Sequence, residues 1–339
     1  MKTGIVGASG YAGTELLRLC AQHEEFEVVV ATAGTMAGTP VTDRAPSLAA
    51  VYPALVFEET DPALLDGLDL VFCALPHGIS QDLLPALSDT VGTVVDLAAD
   101  FRLKDPAQYA AWYGEEHRAP EFLDRFVYGL PELHQPALAE ARLIAAAGCY
   151  PTAAALALAP LVKAGVIEPS GIVVDAASGV SGAGSSLEER LMFASADENF
   201  SAYGLLTHRH TPEIEQAVGG SVLFTPHLVP MVRGLLATCY ARPAAGSAPT
   251  SASVLEVLHE AYRHDPFVVV SADAPGTKAA SGSNCALMSA RVDERTGWVL
   301  ALCALDNLIK GAAGQAVQCA NLALGLAETT GLPLAGLYP

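Results

Sequence analysis

A glycine-rich turn between the first apolar run and the first helical segment constrains the fold of this chain more than any other feature. The turn joins residues 2–7 to residues 10–20 and has the sequence Gly7-Ala8-Ser9-Gly10-Tyr11-Ala12-Gly13. Glycines in such a turn let the backbone approach a pyrophosphate, and the helix N-terminus adds N–H groups and a positive dipole end. The spacing is G-x-x-G-x-x-G, so its position between a strand and a helix is what predicts a dinucleotide site.

Further continuous apolar runs occur through the first 148 residues, each bounded by turn residues. They lie at residues 26–32, 69–75, 93–97 and 143–147. Continuous apolar strands separated by helical segments indicate a parallel sheet that is covered on both faces. Residues 1–148 are therefore predicted to form a Rossmann-like, doubly wound α/β domain.

The pattern changes after Cys149, which fits the two domains expected of 339 residues at roughly 100–200 residues per domain. A helix-prone segment runs to residue 164, and apolar strands are predicted at 171–176, 267–270, 286–292 and 298–305. A final helix is predicted over Lys310–Leu326. Residues 149–309 are predicted to form an α+β catalytic and oligomerisation domain with a mixed or antiparallel sheet.

Charge and hydropathy exclude several classes of partner. The net charge of −19 disfavours nucleic acid and anionic membranes as partners. The stretch from Leu143 to Val162 has no charged residue over a length that would span a bilayer. It contains Gly148, Pro151 and Pro160, so a buried strand, a turn and a short helix fit it better. We therefore expect no membrane segment.

Seven cysteines, an odd number without a C-x-x-C pair, indicate free thiols in a reducing compartment and hence a cytoplasmic protein. Cys149 differs from the other six because it follows Gly148 and precedes Pro151, a residue suited to the first turn of a helix. A cysteine at a helix N-terminus has its thiolate stabilised by the helix dipole. Cys149 is therefore the predicted nucleophile, and the other six are interpreted as small buried residues.

The cofactor prediction rests on the second apolar run and on another strand end. No Asp or Glu follows that run, where NAD-binding domains usually have an acidic residue for the ribose 2′-hydroxyl, so a 2′-phosphate would not be repelled. Thr32 and Thr35 are candidate donors to it, although no arginine lies among them in the sequence. This pattern favours NADP(H) as the cofactor. The alternative is that Thr32 and Thr35 are ordinary turn residues. His77 follows a strand end and is a further candidate cofactor contact.

Candidate partners of the thiol are two histidines, an arginine and two serines. His208 and His210 are candidate acid/base residues that titrate near neutrality, and in a strand only one of them would point inward. Arg102 follows a predicted strand end and can grip a phosphate with two hydrogen bonds, unless it is solvated or paired with Asp100. Ser178 and Ser181 lie in a Gly/Ser loop that can present N–H groups and hydroxyls to an anion or hold a nicotinamide close, with a plain loop as the alternative. No set of residues has zinc-ligand spacing, so no metal is expected.

The chain resembles the N-acetyl-γ-glutamyl-phosphate reductase family (type 1), within a wider group that includes aspartate-semialdehyde dehydrogenase and, more distantly, phosphorylating glyceraldehyde-phosphate dehydrogenase. The motifs fall in order over nearly the whole chain. Besides the glycine turn they are residues 99–102 (ADFR), 128–132 (YGLPE), 148–152 (GCYPT), 178–184 (SGVSGAG), 208–213 (HRHTPE) and 310–316 (KGAAGQA). The resemblance implies an NADP-dependent reductase of an acyl phosphate, forming a semialdehyde and inorganic phosphate in arginine biosynthesis.

The resemblance also implies roles for single residues. Cys149 would be the acyl-accepting thiol, His208 rather than His210 the acid/base, and Glu213 an orienting residue. Arg102 would meet the acyl phosphate. Residues 310–339 would return to the first domain, with Asn307, Lys310 and Gly311 beside the cofactor, although helix packing accounts for these three equally well. The family's usual Lys and Arg around the Gly/Ser loop are Ala177 and Ser185 here. Family members are commonly homo-oligomers, so a dimer or tetramer is expected.

Three alternatives stay open from the sequence. An N-acetyl-aminoadipyl-phosphate reductase of lysine biosynthesis would use the same residues on a substrate one methylene longer, and a methylene is worth only about 1–3 kcal/mol in discrimination. Aspartate-semialdehyde dehydrogenase is disfavoured by the motif set. A non-catalytic NADP-binding redox sensor would share the glycine turn and the reactive cysteine.

Overall fold

Six parallel strands form the sheet of the N-terminal unit in the computed structural model, which describes residues 1–338. The strands are β1 (Lys2–Val6), β2 (Glu27–Thr32), β3 (Leu70–Cys73), β4 (Thr93–Asp96), β5 (Val127–Gly129) and β6 (Leu143–Ala146). Their order is β2-β1-β3-β4-β6-β5, and every neighbouring pair is parallel. The order reverses direction between β1 and β3, which is the position where α/β domains bind ligands.

Five helices of this unit connect its strands. They are α1 (Tyr11–Cys20), α2 (Val41–Arg44), α3 (Ser80–Leu87), α4 (Pro106–Tyr113) and α5 (Pro131–Leu138). All residues of β3, β4 and β6 are buried, as expected of strands with helices on both faces of the sheet. The predicted doubly wound α/β domain is therefore confirmed.

A second, mixed sheet lies in the other unit. Its strands are β7 (Ile172–Gly179), β8 (Ser201–Ala202), β9 (Val222–Val229), β10 (Leu235–Ala241), β11 (Val268–Val270), β12 (Ala286–Val292) and β13 (Val299–Leu305). Their order is β11-β12-β13-β10-β7-β9-β8, with antiparallel pairs at its centre and parallel pairs β7/β9 and β11/β12. The predicted mixed sheet is confirmed.

The helices of the second unit are α6 (Cys149–Lys163), α7 (Phe193–Ala196), α8 (His210–Val218), α9 (Ser251–Ala261) and α10 (Thr277–Ala280). Helix α6 packs on β10, β13, α8 and α9. Alternate residues of β7 and β10 are buried, which places the core between one face of the sheet and these helices. The first residue of the most deeply packed helix in this core is Cys149.

The end of the chain differs from the single helix predicted over Lys310–Leu326. A π-helical turn covers Ile309–Ala313, and the α-helix α11 covers only Gly314–Ala323. One unit comprises Met1–Ala147 and Ala312–Leu332, where α11 packs on α5, β4 and β6. The other comprises Gly148–Gly311 and the residues from Pro333 onward, a shorter return to the first unit than the 310–339 expected.

The uncharged stretch from Leu143 to Val162 is divided between β6 and α6. Within residues 1–338, no helix combines the length and the apolar character needed to cross a bilayer. The interpretation of this stretch as a strand, a turn and a helix is therefore confirmed.

Candidate functional site

The glycine turn is a cradle that side chains would fill. Gly7 has a positive φ of 75°, and a β-carbon on it would collide with the carbonyl oxygen of Ala74. A β-carbon on Gly13 would collide with the carbonyl oxygen of Gly7. Gly10 is the N-cap residue of α1 in extended conformation, so the helix N-terminus opens beside Ser9 and Ala12. This geometry fits the pyrophosphate of a dinucleotide.

The end of β2 lies against this cradle, because the Ala8 N–H donates to the Thr32 carbonyl at 2.8 Å. Thr32 itself is fully buried and its hydroxyl pairs with that of Thr60 at 2.9 Å. Thr35 is exposed. Of the two threonines predicted to meet a 2′-phosphate, only Thr35 presents its hydroxyl to solvent.

His77 is exposed after β3, and its ring lies 5.9 Å from that of Tyr113. The loop that carries it is anchored by Asp100, whose two carboxylate oxygens accept the Gly78 N–H at 2.7 and 2.9 Å. Asp100 is fully buried. No sequence pattern indicates this anchor, apart from its place in the 99–102 motif.

Arg102 lies just beyond β4 and is only 6% exposed. Its Nη2 donates to the Leu97 carbonyl at 2.6 Å. The alternative of a solvated arginine is therefore wrong. The held guanidinium is a fixed positive charge near the carboxyl end of β4, where its field also acts on Asp96.

Among the seven free thiols, Cys149 alone is half-exposed, and the other six are buried. Burial raises the pKa of Cys20 to about 12 and also raises the pKa values of Cys73, Cys239 and Cys285, which keeps these thiols protonated and inert. Cys149 is the first residue of α6, after the extended N-cap residue Gly148. This is the placement that the sequence predicted.

Glu213 fixes the start of the nucleophile helix. It lies in the first turn of α8 with 1% exposure, and its Oε1 accepts the Gly148 N–H at 2.8 Å. A carboxylate at this position holds the backbone immediately before Cys149. Its geometry fits an orienting residue rather than an acid that touches substrate.

Both histidines of the 208–213 motif face Tyr150, the residue after the nucleophile. The ring of Tyr150 lies 5.7 Å from that of His208 and 5.9 Å from that of His210, and the two imidazoles are 4.9 Å apart. The expectation that only one would point inward assumed a strand and is wrong. Pro212 belongs to the first turn of α8, so the motif turns into a helix and the two rings lie on the same side.

His208 is set up as a neutral hydrogen-bond donor. Its Nδ1 accepts the backbone N–H of His210 at 3.1 Å, so the proton of the neutral ring resides on Nε2. Burial, helped by the neighbouring Arg209 charge, lowers the pKa of His208 to about 4. The ordinary value near neutrality that we expected is therefore not the value in the fold. A neutral Nε2–H suits donation to a carbonyl oxygen.

Tyr203 was not found from the sequence. Its hydroxyl donates to the Tyr150 hydroxyl at 3.1 Å, and its ring lies 5.4 Å from that of His208. It follows the two-residue strand β8 in a segment without a recognisable pattern. Tyr150, Tyr203 and Phe224, whose ring lies 5.3 Å from that of His208, surround this imidazole with aromatic rings.

The Gly/Ser loop is more tightly bonded than a flexible loop. The N–H groups of Gly179, Val180 and Ser181 donate to the carbonyls of Gly234, Met231 and Val232 at 2.9, 3.0 and 3.3 Å. The expectation that this loop presents these N–H groups to an anion is therefore wrong, because β7 continues to Gly179 and pairs with the neighbouring chain segment.

The two loop serines are both buried. The Ser178 hydroxyl donates to the Gly179 carbonyl at 3.1 Å, and the Ser181 hydroxyl accepts from Asn307 Nδ2 at 2.9 Å. The Asn307 Oδ1 accepts the Gly234 N–H at 2.8 Å. Asn307 therefore joins the two segments of the loop, and Ser181 keeps its own proton for donation.

Gly311 stands directly against the nucleophile. A β-carbon on Gly311 would lie 2.7 Å from Cys149 Cβ and 3.2 Å from its Cα. Lys310 is fully buried, and the Asp306 carboxylate accepts the N–H groups of Leu308 and Ile309 at the start of the turn. These residues precede the last helix rather than begin it, because Asp306 fixes a π-helical turn there.

Comparisons with known proteins agree with this architecture. Two family models match the chain: "Semialdehyde dehydrogenase, NAD binding domain" over residues 2–141 and "Semialdehyde dehydrogenase, dimerisation domain" over residues 149–307. Similar folds include aspartate semialdehyde dehydrogenase II from Vibrio cholerae (TM-score 0.70, 18% identity, 96% of this chain and 98% of that one). Another is the Candida albicans aspartate semialdehyde dehydrogenase with NADP (TM-score 0.69, 17% identity, 95% and 97%).

Relatives at much higher identity cover the whole chain. The N-acetyl-gamma-glutamyl-phosphate reductase of Symbiobacterium thermophilum is 48% identical over 100% of this chain and 99% of its own. Those of Desulforudis audaxviator and Pseudomonas syringae pv. syringae are 49% and 44% identical, with both chains covered completely.

Proposed function

Because the chain belongs to the N-acetyl-γ-glutamyl-phosphate reductases of the semialdehyde dehydrogenase family, we propose that it reduces N-acetyl-γ-glutamyl phosphate to N-acetylglutamate 5-semialdehyde and phosphate. It is an oxidoreductase with a nicotinamide cofactor, and we propose NADPH as the donor and arginine biosynthesis as the pathway. The observation that carries the proposal is the half-exposed Cys149 at the start of α6, with Glu213 bonded to the preceding N–H and His208 packed on the following residue.

Covalent catalysis follows from these residues. The Cys149 thiolate attacks the acyl carbon, a C–S bond forms, and the C–O bond to phosphate breaks, with Arg102 proposed to meet the phosphate charge. A reduced nicotinamide nucleotide, when bound, would supply a hydride to the carbon of this thioester. His208 donates a hydrogen bond from Nε2 to the former carbonyl oxygen, which stabilises the charge that develops there. The C–S bond then breaks, which returns the thiolate and releases the aldehyde.

The reverse reaction tests this function. The protein is incubated with N-acetylglutamate semialdehyde and NADP, with and without phosphate, while absorbance of the reduced cofactor is followed. Phosphate-dependent reduction supports the proposal, and turnover that ignores phosphate indicates a hydrolytic aldehyde dehydrogenase instead. Faster turnover of the aminoadipate analogue at equal concentration would indicate that the substrate is the aminoadipyl compound, which is one methylene longer. Binding of NADP without any turnover would favour the redox sensor.

The pKa of His208 gives a pH prediction. We expect kcat/KM to show no acid limb from this residue near pH 6.5, since its pKa of about 4 keeps the ring neutral down to about pH 5. The unfolded chain takes up this proton near pH 6.5, so the free energy of unfolding falls as pH drops from about 6.5 to about 4. A pH profile of wild type beside His208→Asn tests this. An acid limb near pH 6.5 that disappears in the variant would contradict it.

We also propose a homo-oligomer, dimer or tetramer, in the cytoplasm. The half-buried side chains Val173, Tyr240, Trp298 and Leu300 on the sheet of the second unit line an apolar cavity of about 490 Å³, which suits contact with a second copy. The seven free thiols fit a reducing compartment. Light scattering is expected to give two or four times the chain mass of 35.0 kDa. A mass of one chain would contradict the proposal.

A further inference from the structure

An arginine that the sequence places far from the glycine turn is brought onto it by the fold. Arg44 ends the short helix α2, and its Nε donates to the Ser9 carbonyl at 2.9 Å. Its guanidinium carbon lies 5.6 Å from the centroid of the Tyr11 ring. The residue before Ser9, Ala8, is in turn bonded to the carbonyl of Thr32, the last residue of β2.

The guanidinium is held but not neutralised. It is half-buried, and within residues 1–338 no carboxylate pairs with it. Nε is occupied by the Ser9 carbonyl, whereas the two terminal nitrogens remain able to donate. A positioned arginine with two terminal donors is suited to a phosphate group. The N-terminus of α1 beside it adds attraction for an anion.

The end of β2 identifies which phosphate this would be. In dinucleotide-binding domains the residues at this strand end meet the ribose of the adenosine half, where an acidic residue holds a 2′-hydroxyl and an arginine accommodates a 2′-phosphate. The segment from Ala33 to Thr42 contains no acidic residue. A rival group is Glu58, which is exposed and whose carbonyl accepts the Ala33 N–H at 3.0 Å.

We propose that Arg44 binds the 2′-phosphate of NADP(H) and sets the preference of this chain for NADP(H) over NAD(H). This inference deepens the proposed function and rests on its nicotinamide cofactor. No arginine or lysine lies between Thr32 and Pro40 in the sequence, and the fold brings the positive charge of Arg44 to the glycine turn instead. The Tyr11 ring and the Ser9 carbonyl fix the guanidinium before the nucleotide arrives, so binding orders little side-chain freedom.

Direct binding of nucleotides tests the proposal without turnover. Dissociation constants for NADP and NAD are measured by calorimetry for wild type, Arg44→Met, Glu58→Gln and Arg125→Met. Arg125 is the matched control, since its guanidinium also lies over a ring, that of Phe122, at 4.8 Å. Arg44→Met is expected to raise the NADP dissociation constant about 10- to 100-fold, as loss of charge-assisted hydrogen bonds implies. The NAD dissociation constant of Arg44→Met, and both dissociation constants of Arg125→Met, are expected to stay within about twofold of the wild-type values.

The other outcomes overturn the proposal. Equal weakening of NADP and NAD in Arg44→Met would show that Arg44 supports the glycine turn only, and an unchanged NADP value would show that another group meets the phosphate. Tighter binding of NAD than NADP by wild type, lost in Glu58→Gln, would assign the ribose to Glu58. If wild type binds neither nucleotide, both the proposed nicotinamide cofactor and the role of Arg44 are contradicted. If nucleotides bind with the expected discrimination but no substrate turns over, only the proposed reaction fails.

Discussion

Replacing Cys149 with alanine is expected to lower phosphate-dependent turnover by about 10³-fold or more, the scale seen when a covalent nucleophile is removed. In the proposed mechanism this thiol forms the bond that carries the acyl group, and no neighbouring side chain offers a second thiol. The other six thiols are buried, so none can take over. Nucleotide binding should be retained, because the glycine turn lies in the other unit.

A second cysteine variant provides the control for this experiment. Cys239 is fully buried in β10, and Cys239→Ala removes a thiol while leaving Cys149 and the sequence of its helix unchanged. We expect its turnover to stay close to that of wild type, with a modest loss of unfolding free energy of about 1 kcal/mol. Alkylation followed by mass spectrometry should label Cys149 first. Equal turnover in the two alanine variants would remove the thioester from the mechanism.

Gly311→Ala is expected to lower turnover by about 10²-fold, the scale of a displacement of about 1 Å at a reacting centre. The added methyl would lie 2.7 Å from Cys149 Cβ and 3.3 Å from a side-chain carbon of Leu305, so the nucleophile must move. A loss of unfolding free energy of about 1–3 kcal/mol should accompany it, since the contact is buried. Steady-state kinetics and thermal unfolding measure the two effects separately.

Gly276 offers a matched control in the same unit. A β-carbon there would meet no atom within 4 Å, and the residue precedes the short helix α10. Gly276→Ala is therefore expected to leave turnover and unfolding unchanged within about 0.5 kcal/mol. If Gly311→Ala is as active as this control, the π-helical turn rather than Cys149 moves to make room for the added methyl.

Local patterns predicted the elements that hold the site, because each depends on near neighbours in the chain. The glycine turn, the apolar strand before it and the junction of Gly148, Cys149 and Pro151 are all read within a few residues. The structure places Cys149 at the start of α6 as predicted, with Pro151 in the first turn of the helix. Most predicted element ends lie within three residues of the observed ones, as with β7, which runs on to Gly179, whereas the last α-helix starts four residues later than predicted.

Features set by distant segments were predicted less well. Opposite orientations of His208 and His210 are expected of a strand, but α8 begins at His210 and both rings meet Tyr150. The local sequence predicts that the loop amides are open to an anion. Their acceptors lie some fifty residues further along the chain, so the local pattern does not indicate that the amides are already bonded. Arg44 could not be connected with Ser9, since they are 35 positions apart and α2 has no motif of its own.

The bonded loop from Gly179 to Ser181 has a consequence for how this enzyme can change over evolutionary time. Backbone amides are the same whatever the residue, so a substrate held by them is difficult to exchange through point mutation. Here those amides are already committed to the segment from Met231 to Gly234. Any ligand contact made by this part of the loop is therefore left to side chains, which single codon changes alter. Mutation can change such contacts one residue at a time, without rebuilding the loop.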